Sequence, residues 1–269
     1  MLAPLDKQRI GEHFAKALTS YEQHALAQKR INRHLCQMLT DSGQGQFRAV
    51  LEIGCGTGDL TRLLAHHYQI QAWCLNDLNA EAIAHTARTL SCDTVKCIAA
   101  DAEQIDQRLP LAQQFDLWVS ASTVQWFHQP RRFVELARQG IKPNGWLLFS
   151  TFLPSNLSEI KQLTDVGLNY PSSEEWQQWL QPHFELIRQE QPSIVLWFDT
   201  PREVLRHLQA TGVTATNRSV WTKGRLQAFY EQYTQQFGRA DGKVSLSYAP
   251  LLMLVRRGSC NYLNAFNKV

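Results

Sequence analysis

Three glycines at alternate positions, Gly54, Gly56 and Gly58, stand at the end of the apolar run Ala49-Val-Leu-Glu-Ile53. A run this short, aliphatic and closed by glycine predicts a buried strand. Alternating glycines let the chain turn back tightly and bring its backbone close to a ligand. A helix is expected directly after, and its first N–H groups lack intrahelical partners. Strand, glycine-rich turn and helix together form the opening unit of a ligand-binding α/β sheet. In a dinucleotide fingerprint the third glycine would fall at position 59. Asp59 stands there, and a carboxylate beside a pyrophosphate is repulsive, so NAD and FAD are disfavoured.

The chain downstream repeats the strand–helix alternation. Strands are expected at 71–77, 94–101, 115–122 and 145–152, with helices over 60–67, 79–90 and 130–140 between them. This is the pattern of βαβ units and a mostly parallel sheet. Upstream, Phe14, Leu18, Tyr21, Ala25, Ile31, Leu35 and Met38 mark one face of a helix, which the polar stretch 41–46 ends. Beyond Phe152 the pattern changes. A helix is expected over 155–169, and a capping box at Ser172 and Glu175 opens another. Strands follow at 184–190 and 193–199. Thr200-Pro-Arg-Glu203 opens a helix with Pro201 at its first position, a second capping box and Gly212 as its stop. An aromatic helix carrying Leu226, Phe229, Tyr230, Tyr233 and Phe237 reads as cap core, and 244–257 reads as one final strand. The boundaries are then an N-terminal helical lid at 1–45, a ligand-binding α/β core at 46–154, late core elements and a helical cap at 155–243, the last strand at 244–257 and a tail at 258–269.

Composition narrows the partners. Twenty-seven Lys and Arg against 24 Asp and Glu leave a net charge of only +3, too little for a general nucleic-acid binder. No apolar run is long enough to span a bilayer, and the N-terminus lacks a signal-peptide core, so a cytoplasmic address is expected. The six cysteines include no C-x-x-C pair and read as reduced, buried thiols; no metal site is expected.

Two carboxylates refine the ligand. Asp77 ends the second expected strand nineteen residues after Gly58, where an acidic side chain can accept from ribose hydroxyls. Asp101 ends the third, where its side chain and a neighbouring N–H can read an adenine edge. With the glycines, these features mark three successive strand ends, the ligand crevice of an open α/β sheet.

Glu52-x-Gly54-x-Gly56-x-Gly58 resembles motif I of class I S-adenosylmethionine (SAM) methyltransferases, and Ile141-Lys-Pro-Asn-Gly145 is similar to the turn before their fifth strand. The resemblance implies a Rossmann-like α/β sheet with an N-terminal helix and a helical cap inserted after the fifth strand. It implies that Glu52, Gly54, Gly56, Gly58, Asp77, Leu78, Asp101, Ala102 and Ser120 hold SAM. More narrowly, Phe14-x-x-Ala17-x-x-x-Tyr21-x-x-x-Ala25-x-x-Gln28, Val124-Gln125-Trp126, the stretch 205–212, and 225–233 followed by Leu246-Ser-Tyr248 resemble the malonyl-acyl carrier protein O-methyltransferases of biotin synthesis. The chain departs from that family where His207-Leu-Gln209 replaces a common Lys and Ser247-Tyr248 a common Thr-Tyr.

That resemblance implies methylation of the free carboxylate of a malonyl thioester on acyl carrier protein. Such a carboxylate is ionised at neutral pH and needs no general base, so positioning carries the catalysis. Tyr21 is expected to close over the methionine end of SAM, and Gln125 and Trp126 to lie near the transferred methyl. Residues 200–225 hold Arg202, Arg206, Arg218, Lys223 and Arg225 against Glu203 alone. Arg202 or Arg206 is expected to pair with the malonyl carboxylate, and the cluster to steer an acidic carrier protein. Two alternatives remain open: a small-molecule carboxyl methyltransferase of the trans-aconitate type, and a SAM-binding protein without catalysis.

Overall fold

The structure is a computed structural model that describes residues 6–8, 10–12, 24–92, 94–164, 167–211 and 221–259. In chain order the main elements are α1 (Leu26–Asp41), β1 (Gln46–Ile53), α2 (Asp59–His67), β2 (Gln69–Asp77), α3 (Ala80–Ala87), β3 (Thr94–Ala99), β4 (Phe115–Ser120), α4 (Arg131–Gly140) and β5 (Ile141–Phe152). There follow α5 (Ser158–Thr164), α6 (Ser173–Leu180), β6 (Phe184–Glu190), β7 (Ile194–Phe198), α7 (Pro201–Ala210), α8 (Lys223–Phe237), β8 (Val244–Tyr248) and β9 (Pro250–Arg257). Short 3₁₀ turns cover Ala102–Gln107 and Val124–Trp126.

One sheet runs β3-β2-β1-β4-β5-β9-β6. Its first five strands are parallel and β9 is antiparallel to both neighbours. The chain winds outward from β1 to β3, then returns to lay β4 on the other side of β1. Ile53 and Ser120 pair across that reversal, so a ligand crevice is expected beyond their carboxyl ends. Apolar side chains fill both faces of the sheet. Leu51, Ile53, Trp118 and Phe149 pack toward α4 and α6, and Val50, Leu117, Leu148 and Leu252 toward α1 and the cap.

The cap is built on β7 paired antiparallel with β8, from Ile194 opposite Tyr248 to Phe198 opposite Val244. α8 buries Phe229 and Tyr233 against it, and the Tyr233 hydroxyl donates to the Ser245 carbonyl, as befits cap core. The run 244–257, expected as one strand, divides at Ala249 into β8 in the cap and β9 in the main sheet. Pro250 has no N–H to continue a ladder, and the Ala249 N–H donates instead to Asn156 Oδ1. Two further expectations need correction. The helix expected over 155–169 is confined to Ser158–Thr164 among the described residues. At α7 the Thr200 hydroxyl caps Glu203 N–H, but the Glu203 carboxylate accepts from Asp199 N–H rather than closing a box on Thr200. The box at Ser172 and Glu175 is complete. In the N-terminal stripe, Ala25 at φ −75°, ψ 46° precedes α1, and Phe14, Leu18 and Tyr21 lie outside the described residues, as do Gly212 and Arg218.

Candidate functional site

The three glycines do three different things. Gly54 lies at φ +70°, and a Cβ there would sit 2.1 Å from Thr123 Oγ1. Gly58, at φ +79°, caps α2, and a Cβ would come within 2.7 Å of Thr86. Gly56, at φ +51°, faces open space: nothing lies within 4 Å of the missing Cβ. The first and third glycines therefore allow close packing, and the middle one leaves room beside the backbone. The turn is fixed from behind. Gly54 and Cys55 N–H groups donate to the Asn76 carbonyl, and Gly56 N–H donates to Asp77 Oδ2 at 2.9 Å.

Three cavities meet around Ser122. The first, about 120 Å³, lies over the ends of β1, β2 and β3 and is walled by Gly54, Gly56, Asp77, Leu78, Asp101, Ala102 and Trp126. Asp77 also accepts from Asn79 N–H, at 3.0 Å. Burial raises its pKa, against the opposing pull of the N–H groups of Asn79, Gly56 and Leu78. A carboxylate has about four acceptor positions, and these N–H groups do not fill them, so acceptor capacity remains for ligand hydroxyls. Leu78 is a large apolar side chain left 42% exposed beside the cavity. Asp101 is already engaged: it accepts from Glu103 N–H, and the Lys7 ammonium lies 2.8 Å from both its oxygens. Lys7 also reaches Glu103 and lies over the Phe127 ring. It belongs to the cavity wall, and no sequence motif pointed to it.

The second cavity lies between α1 and the glycine turn, lined by Gln28, Lys29, Asn32, Glu52, Gly56 and Asp59 among others. Gln28 Oε1 and Asn32 Oδ1 are buried there without a hydrogen-bond partner. Asn32 donates to Asp59 Oδ2, so the N-terminus of α2 presents a carboxylate rather than a bare anion site. Glu52 is buried behind the turn and absent from the first cavity. Its Oε2 accepts from the Thr61 hydroxyl at 2.7 Å. Burial, with Asp77 and Asp59 adding to it against that bond, lifts its pKa to about 8. Asn32 escaped the sequence reading because only the apolar stripe was counted. The signal was polar residues at 28 and 32, four apart on the buried side of the helix.

The third cavity is narrower and lies under the cap, between Gln28, Ser122, Gln125, Trp126, Tyr170 and Tyr248. Gln125 donates to the Ser122 carbonyl, and its Oε1 is buried without a partner, as is Ser122 Oγ. Trp126 walls the first cavity as well. Ser120, expected on the ligand, is not on any of these walls. It is fully buried, and its hydroxyl donates to the Ile53 carbonyl, tying β4 to β1. Ala121 and Ser122 take its place. Arg202 and Arg206 are likewise off the walls. Both are exposed on α7, whose opposite face buries Val204, His207 and Leu208. A broad polar depression of about 980 Å³ opens at the other end of the sheet, beside Gln46 and Gln69, remote from all of this.

The donor set suits a nucleoside joined to a zwitterion. Asp77 matches a ribose, and Gln28 and Asn32 offer lone acceptors to an ammonium with Lys29 nearby for a carboxylate. The cradle beside Gly56 leaves space for the chain between them. A pyrophosphate would meet Asp59 and Asp77, with no arginine among the described residues of the walls.

Comparison with known proteins agrees. A family model described as a methyltransferase domain matches residues 51–147. The malonyl-[acyl-carrier protein] O-methyltransferase of Haemophilus influenzae is 43% identical over 95% of this chain and 96% of its own length. That of Porphyromonas gingivalis is 40% identical over 95% and 98%. Among solved structures, the N-methyltransferase NodS of Bradyrhizobium japonicum in complex with S-adenosyl-L-homocysteine superposes with a TM-score of 0.51 at 17% identity, over 85% of this chain and 86% of that one. YcgJ of Bacillus subtilis gives 0.58 at 15% identity, over 84% and 99%. The structural likenesses show the fold, and the relatives show the family. The chain belongs to the malonyl-[acyl-carrier protein] O-methyltransferases.

Proposed function

We propose that the protein transfers a methyl group from SAM to the free carboxylate of a malonyl thioester borne on acyl carrier protein, a step in making the biotin precursor. The observation that carries this reading is the meeting at Ser122 of a cavity walled by Asp77, Leu78 and Asp101, a cavity with unpaired acceptors and a pocket under the cap without Lys, Arg or His among its described lining residues. The first takes the nucleoside: Asp77 accepts from the ribose hydroxyls, and Leu78, Asp101 and Ala102 flank the base. The second takes the methionine end, with its ammonium on Gln28 and Asn32 and Glu52 behind the turn. Tyr21, expected from the sequence at that end, lies outside the described residues. The third takes the acceptor, with Gln125 and Trp126 beside the reacting atoms.

SAM supplies a methyl on a cationic sulfur. The malonyl carboxylate oxygen forms a bond to that carbon as the carbon–sulfur bond breaks, and the electron pair stays on sulfur. No proton moves, so no base is required, and the chain's work is alignment and exclusion of water. Well-oriented reactants can contribute about 7–11 kcal/mol. The exposed cations Arg202, Arg206, Lys223 and Arg225 fit the steering of an acidic carrier protein rather than contact with the reacting carboxylate.

The test is methyl transfer from labelled SAM to malonyl-carrier protein, set beside free dicarboxylates including trans-aconitate. Transfer to malonyl-carrier protein at the higher kcat/KM is expected. Faster transfer to a free dicarboxylate would replace this reading with the small-molecule one, and SAM binding without any transfer would replace it with a non-catalytic role.

A further inference from the structure

The pocket under the cap contains no Lys, Arg or His among its described lining residues. A carboxylate placed there must be held by neutral donors: the Ser122 hydroxyl, buried without a partner, is one, and the hydrogen bonds around Asn156 orient a second. The Ala249 backbone N–H can only donate, and it donates to Asn156 Oδ1 at 3.1 Å. That bond fixes the orientation of the Asn156 amide, so its Nδ2 is the donor toward the Tyr170 hydroxyl oxygen, 3.1 Å away. The Tyr170 oxygen is thereby an acceptor, and its own proton meets no acceptor among the described residues. Asn156 is 4% exposed and Tyr170 9%, so water does not take up that proton freely. Edge contacts with Phe152 hold the ring.

We propose that the Tyr170 hydroxyl, turned toward the pocket by Asn156, is a donor that binds and orients the carboxylate to be methylated. The proposal rests on the carboxyl-methylation reading above. Burial pushes the Tyr170 hydroxyl up to about 12, so it keeps its proton at neutral pH. Tyr248 stands across the same pocket with its hydroxyl 2.8 Å from His207 Nε2. Burial lowers His207 to about 4, so this second pair also brings no charge.

A neutral clamp suits the chemistry. The attacking oxygen starts anionic and ends as an ester, while the sulfur starts cationic and ends neutral. An arginine fork would bind the ionised carboxylate more strongly than the partly neutralised transition state and so hold the reactants back. A phenol O–H still makes a short, charge-assisted bond that fixes direction, at less cost as the charge disappears. The exposed placement of Arg202 and Arg206 accords with this division: cations outside for the carrier protein, uncharged donors inside for the reacting group.

The experiment compares the native protein with Tyr170→Phe, which keeps the ring and removes the hydroxyl. SAM affinity by calorimetry should stay within twofold. The kcat/KM for malonyl-carrier protein should fall about 10- to 100-fold, the worth of a hydrogen bond to a charged group. Native preference for the malonyl carboxylate over its methyl ester in competition binding should collapse in the variant. A folded Tyr170→Phe protein with native kcat/KM and native preference would overturn the proposal while leaving the methylation reading intact. A native protein that binds SAM but leaves malonyl-carrier protein unmethylated would overturn both. Should Tyr170→Phe fail to fold, Asn156→Asp keeps the shape and the Ala249 bond but turns the tyrosine proton inward. The same loss of kcat/KM is expected from it, and native turnover would again overturn the proposal.

Discussion

Ser122 N–H donates to Ser150 Oγ at 3.0 Å, and this bond holds a non-glycine residue at φ +50° where the three cavities meet. A left-handed serine costs about 1–2 kcal/mol unless its surroundings fix it. Here β5 fixes it, through a hydroxyl that is itself fully buried. Ser150→Ala leaves the Ser122 N–H unpaired, which should cost about 1–3 kcal/mol and lower the melting temperature by several degrees. Turnover should fall further than SAM affinity, since Ser122 touches the acceptor pocket too. Thermal unfolding and steady-state kinetics on the variant check both. An unchanged melting temperature would mean the strain is held elsewhere.

Asp77 is predicted to carry much of the nucleoside affinity. Asp77→Ala removes the acceptor for the ribose hydroxyls and should weaken SAM by about 1–3 kcal/mol. Because the same carboxylate fastens Gly56 and Asn79, the ligand-free variant should also melt earlier than the native protein. Calorimetric titration with SAM on folded variant tests the first expectation, and NAD in the same cell should give no heat. Native SAM affinity in a folded Asp77→Ala protein would remove Asp77 from the ligand.

Glu52 makes stability depend on pH in an unusual direction for a carboxylate. Its folded pKa, about 8, lies above the unfolded value of 4.5. The folded state therefore binds the proton more tightly. The stabilisation is complete below about pH 4.5 and is lost as pH rises through 8. Glu52→Gln keeps an oxygen for the Thr61 hydroxyl without the titrating charge. The melting temperature of the variant minus that of the native protein should rise between pH 5 and pH 8 and level off above. The corresponding difference in unfolding free energy, read from denaturant titrations at the same pH values, should reach the order of a few kcal/mol. A difference flat across that range would show that Glu52 is ionised in the folded protein.

The sheet was legible because its signals are local: short apolar runs, glycines and strand-end carboxylates each declare themselves within a few residues. Asp77 was legible for the same reason, since its spacing from Gly58 is set by one helix. Ser120 misled because a serine at a strand end has two faces to choose between, and hydrogen bonding to Ile53 across the β1–β4 pair decides which. Lys7, Asn32 and Tyr170 were invisible for the opposite reason. Each is positioned by a partner far along the chain, Asp101, Asp59 and a bond relayed from Ala249, and no periodicity records such a meeting. The division of 244–257 turned on Pro250, whose missing N–H was in view but whose alternative partner for Ala249 was not.

The cap arginines give the last prediction. Arg202 and Arg206 stand four residues apart on the solvent side of α7, one turn of a helix and one face. An arginine that met the malonyl carboxylate would, on truncation, cost about 2–5 kcal/mol at any ionic strength, because the partner charge is left buried and unpaired. An arginine that only steers an acidic partner acts through association, over distances that salt screens. From their exposure we expect the second behaviour. Arg202→Ala and Arg206→Ala should each lower kcat/KM for malonyl-carrier protein by on the order of a few-fold at low salt, with kcat unchanged. The deficit should vanish near 1 M salt, where the Debye length is about 3 Å. Activity on a small malonyl thioester, which has no acidic domain to attract, should not change in either variant. A salt-independent loss on both substrates would instead place that arginine against the reacting carboxylate, and would require the cap to close further over the pocket than α7 does here.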